Sequence, residues 1–299
     1  MKTGLKGINR ATVAATVALT AGALLAGSTS ASAAQAATLP TPTITAKGGF
    51  VMNNGTAKTL YSKSADTRRS TGSTTKIMTA KVVLSQKNLN LDSKVTVQKA
   101  YSDYIVKNTA SSARLIVGDK VTVRQLLYGL MLPSGCDAAY ALADKFGSGT
   151  TRAARVKSFL GKMNATAKSL GMTNSHFDSF DGIGNGSNYS TPRDLTKLAS
   201  SAMKSSTFRA IVKTKSTKQK VTTKTGGYRY MSWTNTNLLL GSYSGTIGVK
   251  TGSGPTAKYC LVFAATRNGK TVIGTVLTAT SSTTRTTDAK KLMDYSFKK

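Results

Sequence analysis

Glutamate is missing from this chain: its 11 acidic residues are all aspartates, and a single histidine, His176, stands among 299 residues. A His-Glu-x-x-His zinc site is therefore impossible, and so are most histidine-rich metal sites. A Ser-His-Asp triad would have to use His176, within Asn174-Ser175-His176-Phe177-Asp178, and no Gly-x-Ser-x-Gly elbow accompanies it. His176 reads as a packed or capping residue. Cysteine is scarce as well. Cys136 and Cys260 allow one disulfide in an oxidising compartment, but two thiols make no disulfide framework. Acid is outnumbered by base: 42 lysines and arginines give a formal net charge of +31. Residues 1–33 hold three cations and no acid, so the remainder carries 39 cations against 11 acids, or +28. Such a field favours polyanionic partners (nucleic acid, acidic lipid or anionic cell-wall polymer) and says nothing of fold.

The length and 39% hydrophobic content suit one large domain or two modest ones. Lys2, Lys6 and Arg10 precede an apolar stretch from Ala11 to Gly27, and Ala31-Ser32-Ala33 offers a cleavage site. This is the pattern of a secretory signal over residues 1–33, too short and too rich in Ala, Gly and Thr for a membrane span. Residues 34–45, with Pro40 and Pro42, read as a flexible lead-in. The rest, 46–299, reads as one exported catalytic domain. Within it, a sheet region falls at about 46–72 and 205–299, and a helical lobe at about 87–204.

With histidine almost used up, a serine enzyme here needs lysine as its base. Ser73-Thr74-Thr75-Lys76 places a serine and a lysine one helical turn apart on one face. Burial lowers a lysine's pKa and lets it take the serine proton. By spacing alone the pattern equally describes a serine N-cap, and it recurs at Ser201-Lys204 and Ser296-Lys299. Context separates them. Ile77, Met78, Ala80, Val82, Val83 and Leu84 follow Lys76 and make that helix apolar nearly all round, as in a buried central helix. Ser201 falls in a Lys/Ser-rich surface stretch, and Ser296 at a fraying C-terminus.

Residues 93–115 lack a clear period and read as loop with short strand. Val123 to Leu132 reads as a helix stopped by Pro133. Ser134-Gly135-Cys136 then turns, and Asp137 caps a second helix to about Phe146. Further helices are expected over 151–172, from Ser190 to about Met203, and from about Thr287. The Lys/Thr-rich stretch 213–227 reads as a solvated hairpin or loop able to meet an acidic polymer. The last third is strand-like. Lys250-Thr251-Gly252 sits in one strand, where glycine lets a ligand backbone come close, and Asn268-Gly269 marks a tight hairpin. The expected architecture is α+β: an antiparallel sheet carrying terminal helices, with an inserted helical lobe.

Three stations thus stand in order: Ser73/Lys76, Ser134-Gly135-Cys136 and Lys250-Thr251-Gly252. Together with Met163-Asn164, Leu170-Gly171-Met172, Asp181-Gly182, Tyr189-Ser190-Thr191, Trp233 and Asn235-Thr236-Asn237, they resemble the penicillin-binding serine enzymes. The closest pattern is the low-molecular-mass D-alanyl-D-alanine carboxypeptidase/transpeptidase family, of peptidase S11 type, and the likeness runs from about Gly48 to Phe297. The resemblance implies a five-stranded antiparallel sheet with flanking terminal helices and an all-helical lobe. It also implies acyl transfer on the D-Ala-D-Ala end of peptidoglycan stem peptides, β-lactams as covalent inhibitors, and no metal or other cofactor. Ser73 would attack, Lys76 would act as base, and Ser134 would pass a proton to the leaving D-alanine. Lys250 and Thr251 would hold the terminal carboxylate, with Arg285 helping by alignment. The backbone amides of Ser73 and Ser253 would form the oxyanion hole. Cys136 stands where the family usually has asparagine, and a thiol is a weaker donor and acceptor than an amide.

Two rivals differ in kind. A class A β-lactamase shares the stations but positions its deacylating water with a glutamate, which this chain lacks. A non-catalytic basic cell-wall-binding protein could keep the same fold. Nucleic acid is set aside by export. The expected product is a monomer, secreted or wall-associated after signal cleavage.

Overall fold

The computed structural model describes residues 14–16 and 39–299; the signal reading of 1–33 lies outside that range apart from those three residues. The chain first forms β1 (Gly48–Asn53), β2 (Thr59–Lys63), a 3-10 turn (Gly72–Thr75) and α1 (Lys76–Leu84). There follow β3 (Lys94–Thr96), α2 (Lys99–Asn108), β4 (Lys120–Thr122), α3 (Val123–Met131), α4 (Cys136–Phe146) and α5 (Arg152–Ser169). Next come α6 (Pro192–Ala202), α7 (Ser206–Lys213), β5 (Ser216–Thr222) and β6 (Tyr228–Thr234). The chain closes with β7 (Thr246–Gly254), β8 (Lys258–Arg267), β9 (Lys270–Ala279) and α8 (Ser282–Lys298).

Five strands make one antiparallel sheet in the order β2-β1-β9-β8-β7. Asn268 and Gly269 join β8 to β9, both at positive φ, as a two-residue hairpin turn requires. In β8 successive side chains feed opposite cores, because a strand's side chains alternate between faces. Leu261, Phe263 and Ala265 pack with Leu292 and Met293 of α8. Val262 and Ala264 join the larger core with Ile77 and Met78 of α1. Helix α1 is buried at seven of its nine residues, as expected of a helix with protein on every side.

The helical lobe also carries a second sheet, of order β3-β4-β5-β6. Two of its strands have three residues each, too few for alternation to show in sequence. The segment 216–234, expected in the main sheet region, belongs to this second sheet. Helix α2 falls in a stretch whose pattern suggests loop and short strand, for Tyr101 is its one buried residue and no apolar stripe marks it. Helix α8 begins at Ser282 rather than near Thr287, capped by Ser281 with Thr284 reciprocating.

Four local readings need correction. Ser296 lies fully buried within α8 rather than at a frayed end. The N-cap of α4 is Gly135 rather than Asp137; the Asp137 carboxylate takes the first-turn amide of Ala138 and also accepts from Ser112 Oγ, Ala113 N and Leu115 N, pinning the 111–115 loop. The end of the lead-in is anchored: Thr45 and Ala46 amides donate to Asp288, and Ile44 is buried. His176 is exposed, bridged to Tyr189 by backbone hydrogen bonds. Among the described residues, no helix is long and apolar enough to cross a membrane.

Candidate active site

Three glycines allow β7 and the 181–183 loop to close around the turn that carries Ser73. A Cβ on Gly72, at φ +49°, would lie 2.7 Å from the carbonyl oxygen of Ser253 in β7. One on Gly252 would meet the Thr71 oxygen at 2.6 Å, and one on Gly182 would meet the Gly72 oxygen at 2.0 Å. Gly252 is therefore demanded by packing against the turn, not only by a ligand's approach. Behind the turn, Asn188 Nδ2 donates to the hydroxyls of both Thr71 and Thr75. Ser73 is thus held from the sheet, from the 181–183 loop and from Asn188.

Lys76 opens α1 and is fully buried. Its Nζ donates to Ser73 Oγ at 2.7 Å, to Cys136 Sγ at 3.3 Å and to the Asp181 carbonyl at 3.2 Å. Tyr104 OH donates to the Asp181 carboxylate at 2.9 Å, which fixes the loop that supplies this carbonyl. Ser134 sits at φ +67° on the tip between α3 and α4, and its Oγ is buried without a partner. An unpaired buried hydroxyl costs free energy, so the site is finished only when something there accepts or donates. Ser111 Oγ donates to the Ser134 carbonyl at 2.6 Å and so steadies the tip. The Cys136 thiol has its pKa raised by burial, against the pull of Lys76. Cys136 and Cys260 are both free, so the allowed disulfide does not form.

The cleft above these groups has a volume of roughly 840 Å³. Ser73, Ser134, Thr251, Gly252, Ser253 and Arg285 line it. Lys76, Cys136 and Lys250 lie beneath its floor, each at most 1% exposed. Lys250 Nζ donates to the Thr251 carbonyl at 3.0 Å. Burial first, then the charges of Lys76 and Arg285, hold this amine well below the ordinary lysine range. Thr251 Oγ1 shares a hydrogen bond with Thr236 Oγ1 at 2.6 Å. Arg285 is 7% exposed, not a surface arginine; it donates to the Gly252 carbonyl at 3.0 Å, and burial lowers its pKa.

All nine residues singled out from sequence therefore converge on one cleft, six on its wall and three below. Ser111, Thr236 and the Asp181 carbonyl join the site without a role expected from sequence. Thr236 and Asp181 fall inside stretches that carry the family resemblance. Ser111 lies in an aperiodic loop and gives no sequence signal. Among the described residues no three His, Cys or Asp side chains gather as a metal cluster.

A serine hydroxyl against a buried lysine amine, set between an antiparallel sheet and a helical lobe, is the geometry of a serine acyl-transfer site in which a lysine stands where others place histidine. The chain belongs to the D-alanyl-D-alanine carboxypeptidase family, whose model matches residues 32–281. It is 72% identical over 285 residues to a D-alanyl-D-alanine carboxypeptidase of Streptomyces sp. strain K15, covering 95% of this chain and 98% of that one. It is 30% identical to DacF, a D-alanyl-D-alanine carboxypeptidase of Bacillus subtilis, covering 84% of this chain but only 62% of that longer relative. The crystal structure of the Streptomyces K15 DD-transpeptidase superposes with a TM-score of 0.87 at 75% identity, covering 87% of this chain and all of that one. A D-alanyl-D-alanine carboxypeptidase of Mycobacterium tuberculosis gives 0.77 at 29% identity, covering 88% of this chain and 95% of that one.

Proposed function

We propose that this protein cleaves the terminal D-Ala-D-Ala bond of peptidoglycan stem peptides through an acyl-enzyme on Ser73, and that β-lactams acylate the same serine. The 2.7 Å contact between Lys76 Nζ and Ser73 Oγ carries this reading. That amine accepts the Ser73 proton as Oγ bonds to the carbonyl carbon. Negative charge then builds on the carbonyl oxygen, which the amides of Ser73 and Ser253 receive; one such donor is worth ~10²–10³ in rate. As the C–N bond breaks, the departing D-alanine nitrogen takes a proton through Ser134, whose hydroxyl is otherwise idle.

Thr251 and Arg285, on the cleft wall, receive the terminal carboxylate. Lys250 supports that wall from beneath, donating to the Thr251 carbonyl at 3.0 Å. Cys136 braces Lys76 at 3.3 Å. Water or an amine then takes the acyl group, giving hydrolysis or transpeptidation. The K15 relative bears the name of a carboxypeptidase in one case and of a transpeptidase in the other, and the two activities share the acyl-enzyme. The family is extracytoplasmic. We read residues 1–33 as the signal that exports this member, 34–45 as its lead-in and 46–299 as its catalytic domain, acting as a monomer.

The test is product analysis with a peptide ending in D-Ala-D-Ala, with and without an amine acceptor. Released D-alanine, plus an acceptor-linked product when amine is added, is expected from wild type and from neither Ser73→Ala nor Lys76→Met. Release by Ser73→Ala at the wild-type rate would sink the reading.

A further inference from the structure

The acyl-transfer site makes no use of the outer face of the second sheet. Lys120 pairs with Thr96 and Thr222, Thr222 with Tyr228, and Lys220 with Tyr230. Residues paired across antiparallel strands share a face, as do residues two apart along one strand. Lys94, Lys120, Lys218, Lys220, Tyr228 and Tyr230 therefore stand on one side, and all six are exposed. The opposite face buries Val121, Val221 and Trp233. None of the four strands contains an acidic residue.

The two tyrosines are arranged as holders for the lysines. Lys220 Nζ lies 4.0 Å from the Tyr228 ring centroid and Lys218 Nζ lies 4.7 Å from that of Tyr230. The rings meet edge to face at 5.8 Å. Ammonium groups over ring faces are attracted by the ring quadrupole, which orders two side chains that would otherwise sample many rotamers. The result is a row of fixed cations along β5, roughly 7 Å apart at a two-residue spacing. Strand β6 leads from this face toward the cleft: Asn235, just past its end, is tied to the Val212 and Thr214 carbonyls, and Thr236 lines the cleft wall.

We propose that this face binds a linear phosphodiester polymer of the polyol-phosphate kind, laid along β5 and β6 and leading toward the cleft. A row of cations suits a chain of regularly spaced anions. Ring faces already covered by ammonium groups are not free to stack nucleobases, as single-stranded nucleic-acid sites need. Nor are they free to enter a bilayer's hydrocarbon edge. The affinity of such a contact comes from counterion release and falls steeply with salt.

The test is binding of the full exported chain to poly(glycerol phosphate) over a salt series, read without turnover and so independent of the acyl-transfer reading. K218Q/K220Q is expected to weaken binding ~10-fold and to lower the log–log salt slope by about two. K157Q/K168Q, an equal charge loss on the exposed side of α5, is expected to leave binding within about two-fold of wild type. Unchanged labelling by fluorescent penicillin confirms that each variant is folded. Equal loss in both variants would reduce the effect to net charge and overturn the proposal. So would tighter, face-dependent binding to phosphatidylglycerol vesicles or to single-stranded DNA, or no binding to poly(glycerol phosphate) at all.

Discussion

Replacing Gly182 with alanine tests whether Ser73 is placed by the packing of neighbouring segments rather than by its own turn. The added Cβ would sit 2.0 Å from the Gly72 carbonyl oxygen and 2.5 Å from its carbon, where ordinary contact begins at 3.4 Å. One segment must therefore retreat by about 1 Å or more, a distance set by van der Waals packing. Ser73 is bonded to Gly72, and Lys76 donates to the carbonyl of Asp181 next to the mutated residue. Ser73 and Lys76 both stand on the segment that carries Gly72, while the Asp181 carbonyl that helps aim the Lys76 amine stands on the segment pushed away from it. A misplacement of that size at a reacting atom costs on the order of 10²-fold in rate.

The backbone sets a second cost, because Gly182 sits at φ +95°. A side chain in left-handed backbone costs roughly 1–2 kcal/mol. Gly171 separates the two effects, being at φ +64° with nothing within 4 Å of its would-be Cβ. G171A is expected to lower Tm by about 2–8 °C, at about 2–4 °C per kcal/mol for a domain of this size, and to acylate normally. G182A is expected to lose more stability and ~10²-fold in the second-order rate of acylation by fluorescent penicillin. If G182A melted like G171A and acylated like wild type, the clamp on Ser73 would be refuted.

Two other substitutions test the floor and the wall of the cleft. Lys250→Met removes an amine that burial holds well below the ordinary lysine range. Between its folded value and that ordinary range, the unfolded chain binds a proton the folded one does not, so wild-type stability climbs with pH through the window. The variant lacks that climb; its stability relative to wild type should be greatest on the acid side and shrink as pH rises, and parallel unfolding curves across pH would count against the buried amine. Ser134→Ala deletes a hydroxyl that makes no hydrogen bond. It should leave Tm nearly unchanged while slowing release of D-alanine by ~10²–10⁴, the usual range for general acid–base catalysis; wild-type turnover would remove Ser134 from the proton path.

What could be read from sequence followed from side-chain chemistry and long apolar runs. The absence of glutamate and the lone histidine pointed to lysine as the base. The apolar run through β8 and the Asn268-Gly269 turn located the main sheet. The three-residue strands β3 and β4 and the weakly buried α2 left no period to read, since their order comes from tertiary pairing. Gly252 shows the same limit within the site. Its glycine fitted a close ligand, yet the nearest atoms to its missing Cβ are those of Thr71 and Thr74. Such contacts join residues about 180 apart in the chain and have no local signature. The burial of Lys250, 1% exposed, likewise has no signature in the Lys-Thr-Gly triplet that carries it.

The two decoys show what separates a spacing from a site. Ser296 is as deeply buried as Lys76, so burial alone would not have rejected it. Its partner in the pattern, Lys299, instead sends Nζ to the Leu60 carbonyl and to Tyr295 OH. Lys204 lies beyond the end of α6 and is exposed. An amine with water or other acceptors in reach is not driven to a serine, because a long side chain gives up rotamer entropy to hold one geometry. Lys76 has no such freedom. Enclosed on every side, it finds Ser73 Oγ, Cys136 Sγ and the Asp181 carbonyl and nothing else. A buried amine left without hydrogen-bond partners would be costly, so the packing that encloses Lys76 is also what directs its amine onto the nucleophile.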